Sequence, residues 1–150
     1  METITYNSES FDIGISDNDI ATSDYTDPKI LVDRFIRCLV TKPFQIPLVD
    51  GGSNSTRMLD LINQRYSDEL LIYIRSFINS AMNFVNDYIK DNETNIVTTY
   101  MKAHLDATEV PIYTISEIKD ITIEQKASTL EVAMTLVIGK NTFTVMIGGA

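Results

Sequence analysis

One histidine, His104, and one cysteine, Cys38, set tight limits on the chemistry open to this 150-residue chain. With one of each, a zinc site built from His and Cys is excluded. A Ser-His-Asp triad would have to use His104, and no strand–Gly-x-Ser-x-Gly–helix context accompanies it. His104 shares helical spacing with Met101 and Leu105, which reads as a core-edge residue rather than a ligand or base. Cys38 falls on an apolar helical face and reads as a small buried hydrophobe; a single cysteine allows no internal disulfide. Glycoside cleavage needs two carboxyl groups, one of them kept protonated by an apolar setting. The chain has 21 acids, so pairs are easily drawn, but none sits in a sequence setting that clearly supplies that environment. The segment GGSNS at 51–55 precedes an expected short helix and could hold an anion through backbone amides, yet the phosphate-loop spacing and its lysine are missing. No catalytic residue, cofactor or metal ligand is therefore assigned, and no small-molecule substrate.

What remains is binding. Arg34 and Arg37 lie one turn apart on the polar flank of an expected helix. They are either a solvated face or a hold on acidic residues of a partner or of this chain's own N-terminus; Asp33 beside them reads as poorly placed to pair. The N-terminal stretch 1–28 carries Glu2, Glu9, Asp12, Asp17, Asp19, Asp24 and Asp27 with no Lys or Arg, which leaves the rest of a net −9 chain almost neutral. Such a leader is either a solvated terminus or suited to a basic protein surface. No basic stripe supports phosphate contacts, so nucleic acid is not expected as a partner. The opening METITYNSES lacks a basic n-region and an apolar h-region. Runs such as LLIYI at 70–74 are too short to span a bilayer. A soluble protein folding in a reducing cytoplasm, with no membrane partner, is expected.

The elements that must position these residues are legible from pattern. Phe11, Ile13 and Ile15 alternate with polar or small residues and suggest a strand or extended arm, with a turn at SDND. Asp27 caps and Pro28 opens a helix through Leu31, Phe35, Cys38 and Leu39, widened by Val32 and Ile36 and stopped before Pro43. Residues 44–52 read as a loop. Ser55 caps a short helix through Met58, Leu59 and Ile62. Ser67 caps a long helix to about Ile89, with apolar columns Leu70/Phe77/Phe84, Leu71/Ile78/Val85 and Ile74/Ala81/Tyr88. That stripe is wide enough to meet a sheet and another helix. Lys90-Asp91-Asn92 interrupts it, and a further helix covers 94–105. After Pro111 the period changes: Ile121 and Ile123, then Leu130 to Ile138, then Phe143, Val145 and Ile147 alternate, joined by KAST at 126–129 and GKN at 139–141.

The fold class expected is α+β: helices, one of them long, packed against a small antiparallel sheet with a C-terminal three-strand meander. Residues 1–27 form an acidic extended leader and residues 28–150 one domain. The last strand, Thr142, Phe143, Thr144, Val145, Met146 and Ile147, reads as a sheet edge, apolar on one face and without proline. An edge so little blunted is either a docking site for a partner's strand or covered by an N-terminal strand such as 11–15. Deleting 141–150 is expected to leave the helices folded.

The order of parts resembles a known family. The acidic DNDI at 17–20 precedes a helix of the form I-L-x-x-R-F-x-R-x-L-x-T at 30–41. A Pro- and Gly-containing loop, a short helix, a long helix and a terminal meander follow. This layout is similar to the baseplate wedge proteins of contractile phage tails, also called sheath initiators or tail-lysozyme-like baseplate proteins. The family's Glu-Pro-Arg motif has its nearest counterpart at Glu109-Val110-Pro111-Ile112, with one residue inserted and no arginine. The resemblance implies a non-enzymatic virion protein, assembled in the host cytoplasm. It would sit as a six-fold ring around the tail tube among other wedge proteins and accept strands of the tail sheath protein on its terminal sheet. It also implies candidate partner contacts at Glu109 and Pro111. Two other readings are a peptidoglycan-cleaving, lysozyme-like tail enzyme and another tail-completion or adaptor protein.

Overall fold

The computed structural model describes residues 2–6 and 27–148. The elements run β1 (Glu2–Tyr6), α1 (Pro28–Thr41), β2 (Phe44–Pro47), β3 (Ser53–Thr56), α2 (Met58–Ile62), α3 (Asp68–Asp91), α4 (Glu93–Ala103), β4 (Ile115–Gln125), β5 (Leu130–Ile138) and β6 (Asn141–Gly148). The class is α+β as expected, and β4–β5–β6 is the antiparallel C-terminal meander.

Helix starts follow the local chemistry. The Asp27 carboxylate accepts from the Lys29 N–H at 2.9 Å, with Pro28 in the first turn. The Ser67 hydroxyl accepts from the Leu70 N–H at 3.1 Å, and Asp68 and Glu69 sit at the positive end of the helix dipole. Lys42 leaves α1 in extended backbone directly before Pro43. The break between α3 and α4 falls at Asn92, whose Nδ2 donates back to the Tyr88 carbonyl at 2.8 Å.

One face of β5 and β6 carries Leu130, Val132, Met134, Leu136, Ile138, Phe143, Val145 and Ile147, all buried. It packs into one core with the apolar sides of α1, α2 and α3, including Leu31, Phe35, Leu39, Met58, Ile74, Phe77 and Ile78. The β5–β6 joint is a two-residue turn. Gly139 takes φ +60° while Lys140 stays at negative φ, the type II′ pattern that suits the twist of a hairpin.

Several expectations are corrected. The last strand is not an edge. The sheet order is β1-β6-β5-β4, and β1 pairs parallel with β6 from Glu2↔Phe143 to Tyr6↔Ile147. The covering strand is thus Glu2–Tyr6; the arm expected at 11–15 and the turn after it lie outside the described residues. The boundary drawn after residue 27 changes too, because Glu2–Tyr6 belongs to the sheet of the main domain. Residues 44–56 are a β2–β3 hairpin rather than a loop. Ser55 pairs with Gln45 in that hairpin and caps nothing, and α2 starts after Arg57 without a side-chain cap. β4 begins at Ile115, well before the alternation at Ile121, because its first half carries register shifts and Asp120 at φ +54°. Those irregularities, with Glu117, Lys119, Asp120 and Glu124, blunt β4 as an outer edge.

Candidate functional site

The long helix does not bury its whole stripe. Leu70, Ile74, Phe77, Ile78, Ala81, Val85 and Ile89 are buried, but Phe84 is 40% and Tyr88 46% exposed. Pro43 turns the chain away, and β2 lays Phe44 edge-on against both Phe77 and Phe84, with ring centroids 5.2 and 5.9 Å away. Phe84 and Tyr88 stay at the rim of the contact between α1 and α3. The result is a groove of about 300 Å³ lined by Arg34, Arg37, Cys38, Thr41 and Lys42 from α1 and its cap, and by Phe84, Val85 and Tyr88 from α3.

Chemically the groove is a cationic rim on an apolar floor. The Lys42 ammonium sits 4.2 Å from the centre of the Phe84 ring, where the π face attracts it. Cys38 and Val85 form the buried floor. Burial pushes the Cys38 thiol up to about 11, with Lys42 opposing the shift, so the group is an inert hydrophobe at neutral pH. Asp33 is four residues before Arg37, one helical turn away. Burial raises its carboxyl above the ordinary value, Arg37 opposes that shift and Asp27 adds to it. The expectation that Asp33 is badly placed toward the arginines is therefore corrected.

The structure separates the other candidates. Phe143, Val145 and Ile147 are in the core, and Thr142, Thr144 and Met146 are half-buried on the opposite face of the sheet. Glu109 and Pro111 are exposed on the connection between α4 and β4, far in sequence from the groove. His104 is not at a core edge. It is exposed just past α4, stacked on Tyr100 at 4.0 Å, with a ring nitrogen 3.1 Å from the Tyr100 carbonyl, and Leu105 beside it is 87% exposed. Residues Ser53–Thr56 are a strand, so the glycine segment at 51–55 does not feed a helix N-terminus and the anion-loop reading falls. Asp87 and Glu93 share a surface depression with Lys90. Among the described residues, no group of three His, Cys, Asp or Glu side chains converges on a metal position, and no helix is long and apolar enough to cross a membrane.

Sequence reading found Arg34 and Arg37 but missed Lys42, Phe84 and Tyr88. The aromatic pair at i and i+4 falls in the same columns as true core residues, and only the packed structure shows it half exposed. No family model, no curated protein and no solved structure matches this chain.

Proposed function

We propose that this chain is a structural assembly protein of a contractile tail baseplate, which nucleates the sheath by strand pairing at its C-terminal sheet. The observation that carries the reading is the position of β6. On one side it pairs with its hairpin partner β5, and on the other it has taken a strand from the opposite end of the chain, β1. β6 is thus an acceptor for a strand that no hairpin delivers. A sheet of this kind grows by β-augmentation. β1 is five residues long, parallel and at the edge of the sheet. Parallel pairing is slightly weaker per residue than antiparallel pairing, which makes β1 the strand that gives way. In this reading residues 142–147 remain the pairing segment, and a strand of the sheath protein replaces β1. The helical layer α1–α3 is the rigid backing, six copies ring the tail tube among the wedge proteins, and no bond is cleaved.

The test is a reversible lock. Thr3 and Thr144 are register partners, and adjacent strands lie about 4.8 Å apart, within the Cα separation a disulfide spans. The Thr3→Cys/Thr144→Cys protein, mixed with tail sheath protein and tail tube, is expected to nucleate sheath when reduced and to stop when oxidised. Full nucleation by a protein shown to be cross-linked sinks strand replacement.

A further inference from the structure

We propose that two copies of this chain pair through α4, antiparallel, with the first turn of each helix against the last turn of the other. Its own chain covers little of α4. The helix has 11 residues, and Ile96 is the one that is buried. Val97 and Tyr100 are half-buried, Met101 is 37% exposed, and Leu105 just past the helix is 87% exposed. Among the described residues, no hydrogen bond or ion pair ties a side chain of α4 to another element. The Asn92 N-cap makes no side-chain bond to the first turn. Helices shorter than about 12–15 residues are marginal alone in water and draw their stability from a packed apolar face. α4 has such a face and leaves most of it open.

The order of residues along that face names the occupant. Glu93, Val97, Met101 and His104 follow at three- and four-residue steps, with Tyr100 beside Met101, so they share one side of the helix. The stripe runs acid, apolar, apolar, histidine. Reversed, it matches itself: Val97 falls opposite the second copy's Met101, and Glu93 opposite the second copy's His104. Glu93 and His104 are both exposed, and His104 is held by its stack on Tyr100 at 4.0 Å. The imidazole offers a carboxylate an N–H donor when neutral and a positive charge when protonated. The turns agree in sign as well, with Glu93 in the first and Lys102 in the last, and antiparallel packing sets opposite ends of the two helix dipoles together. A parallel pair would set Glu93 against Glu93. A face that complements itself makes an isologous contact, which closes at two copies. It therefore does not build the six-fold ring. It uses no part of the C-terminal sheet, and it goes beyond the assembly reading.

A pair of short helices is small beside the roughly 1,200–2,000 Å² of a standard interface, so a dissociation constant of about 10–100 μM is expected. The experiment is sedimentation velocity of the full chain, loaded from tenfold below that range to tenfold above it. Monomer at the low end and dimer at the high end are expected. Met101→Glu is expected to remain monomeric throughout. Glu93→Lys and His104→Glu are each expected to weaken self-association about tenfold, because each sets like charges together at both ends of the pair. Mixed in equal amounts, the two variants are expected to regain the dimer: the introduced lysine then meets the introduced glutamate, and the Glu93 that remains meets the His104 that remains. Melting followed by circular dichroism establishes that each variant is folded. Should a charge variant not fold, Val97→Cys mixed with Met101→Cys under an oxidant carries the test. The mixed disulfide is then expected well above the statistical half of the products. A parent chain that is monomeric over the whole range, a dimer that survives Met101→Glu, folded charge variants that do not pair when mixed, or disulfides in statistical proportion overturn the proposal. The disulfide lock between β1 and β6 leaves α4 untouched, so the two proposals fail separately.

Discussion

Asn86 on α3 holds both main-chain polar groups of Ile115. Its Nδ2 donates to the Ile115 carbonyl at 2.9 Å, and its Oδ1 accepts from the Ile115 N–H at 2.9 Å. A side-chain amide here takes the place of a neighbouring strand's peptide group at the first residue of β4. It fastens the long helix to the sheet where the outer edge would otherwise leave a half-buried N–H and C=O without partners.

Replacing Asn86 with Ala removes both bonds at once. Leaving part-buried donors and acceptors unsatisfied costs about 1–3 kcal/mol, so Asn86→Ala is expected to lower the urea midpoint with an unchanged m-value. Asn86→Asp keeps an acceptor for the Ile115 N–H but sets an anion against its carbonyl, and is expected to be no better. Hydrogen exchange at the Ile115 amide should accelerate in both variants.

Gly148 and Gly51 give a matched pair. Both have positive φ, +85° and +100°. A Cβ on Gly148 would run into the Leu130 carbonyl oxygen, whereas one on Gly51 meets nothing within 4 Å. Gly51→Ala is expected to cost only the left-handed penalty, about 1–2 kcal/mol. Gly148→Ala has to move the backbone of the β5–β6 pair as well and is expected to cost clearly more. Denaturant titration of the two variants side by side checks the order.

The Cys38 thiol, raised by burial to about 11 from 9.0, makes a pH prediction. At pH 8 a thiol at its ordinary value is roughly tenfold to hundredfold more ionised than this one, and reaction with a disulfide reagent follows the thiolate. Native protein is expected to label about a hundredfold more slowly than unfolded protein at pH 8. Because the folded-state value is the higher one, the native state keeps its proton longer. The stability from this group is complete below pH 9 and is lost as pH rises through 11. Cys38→Ser should flatten that alkaline loss.

Deleting residues 141–150 is now expected to unfold the chain rather than to spare the helices. Val145 and Ile147 are fully buried in the core shared with the helices, and β6 lies between two strands. The point change Ile147→Ala alone is expected to cost about 2–5 kcal/mol. A deleted protein that keeps native helical ellipticity and a cooperative melt would show that the helical layer stands alone.

Local rules read much of this chain well. Asp27 with Pro28, and Ser67 with its following acids, mark helix starts because a cap is a contact over two or three residues. The alternation from Leu130 to Ile147 marks β5 and β6 because both share one buried face. The β2–β3 hairpin escaped notice because SNST carries no apolar alternation, and what holds Phe44 and Ile46 in place is α3. The start of β4 was hidden by register shifts, whose partner is a different strand.

By itself the sequence determined the starts of α1 and α3, the strands β5 and β6 and the poverty of His and Cys, since these depend on residue type and short spacing. Tertiary structure alone decided that β6 is central, because its neighbour β1 comes from the other end of the chain and strand pairing leaves no periodic mark on the partner. It also decided that Phe84 and Tyr88 face outward beside Arg34, Arg37 and Lys42. Their spacing is that of core residues, and their exposure follows only from how α3 packs against its neighbours.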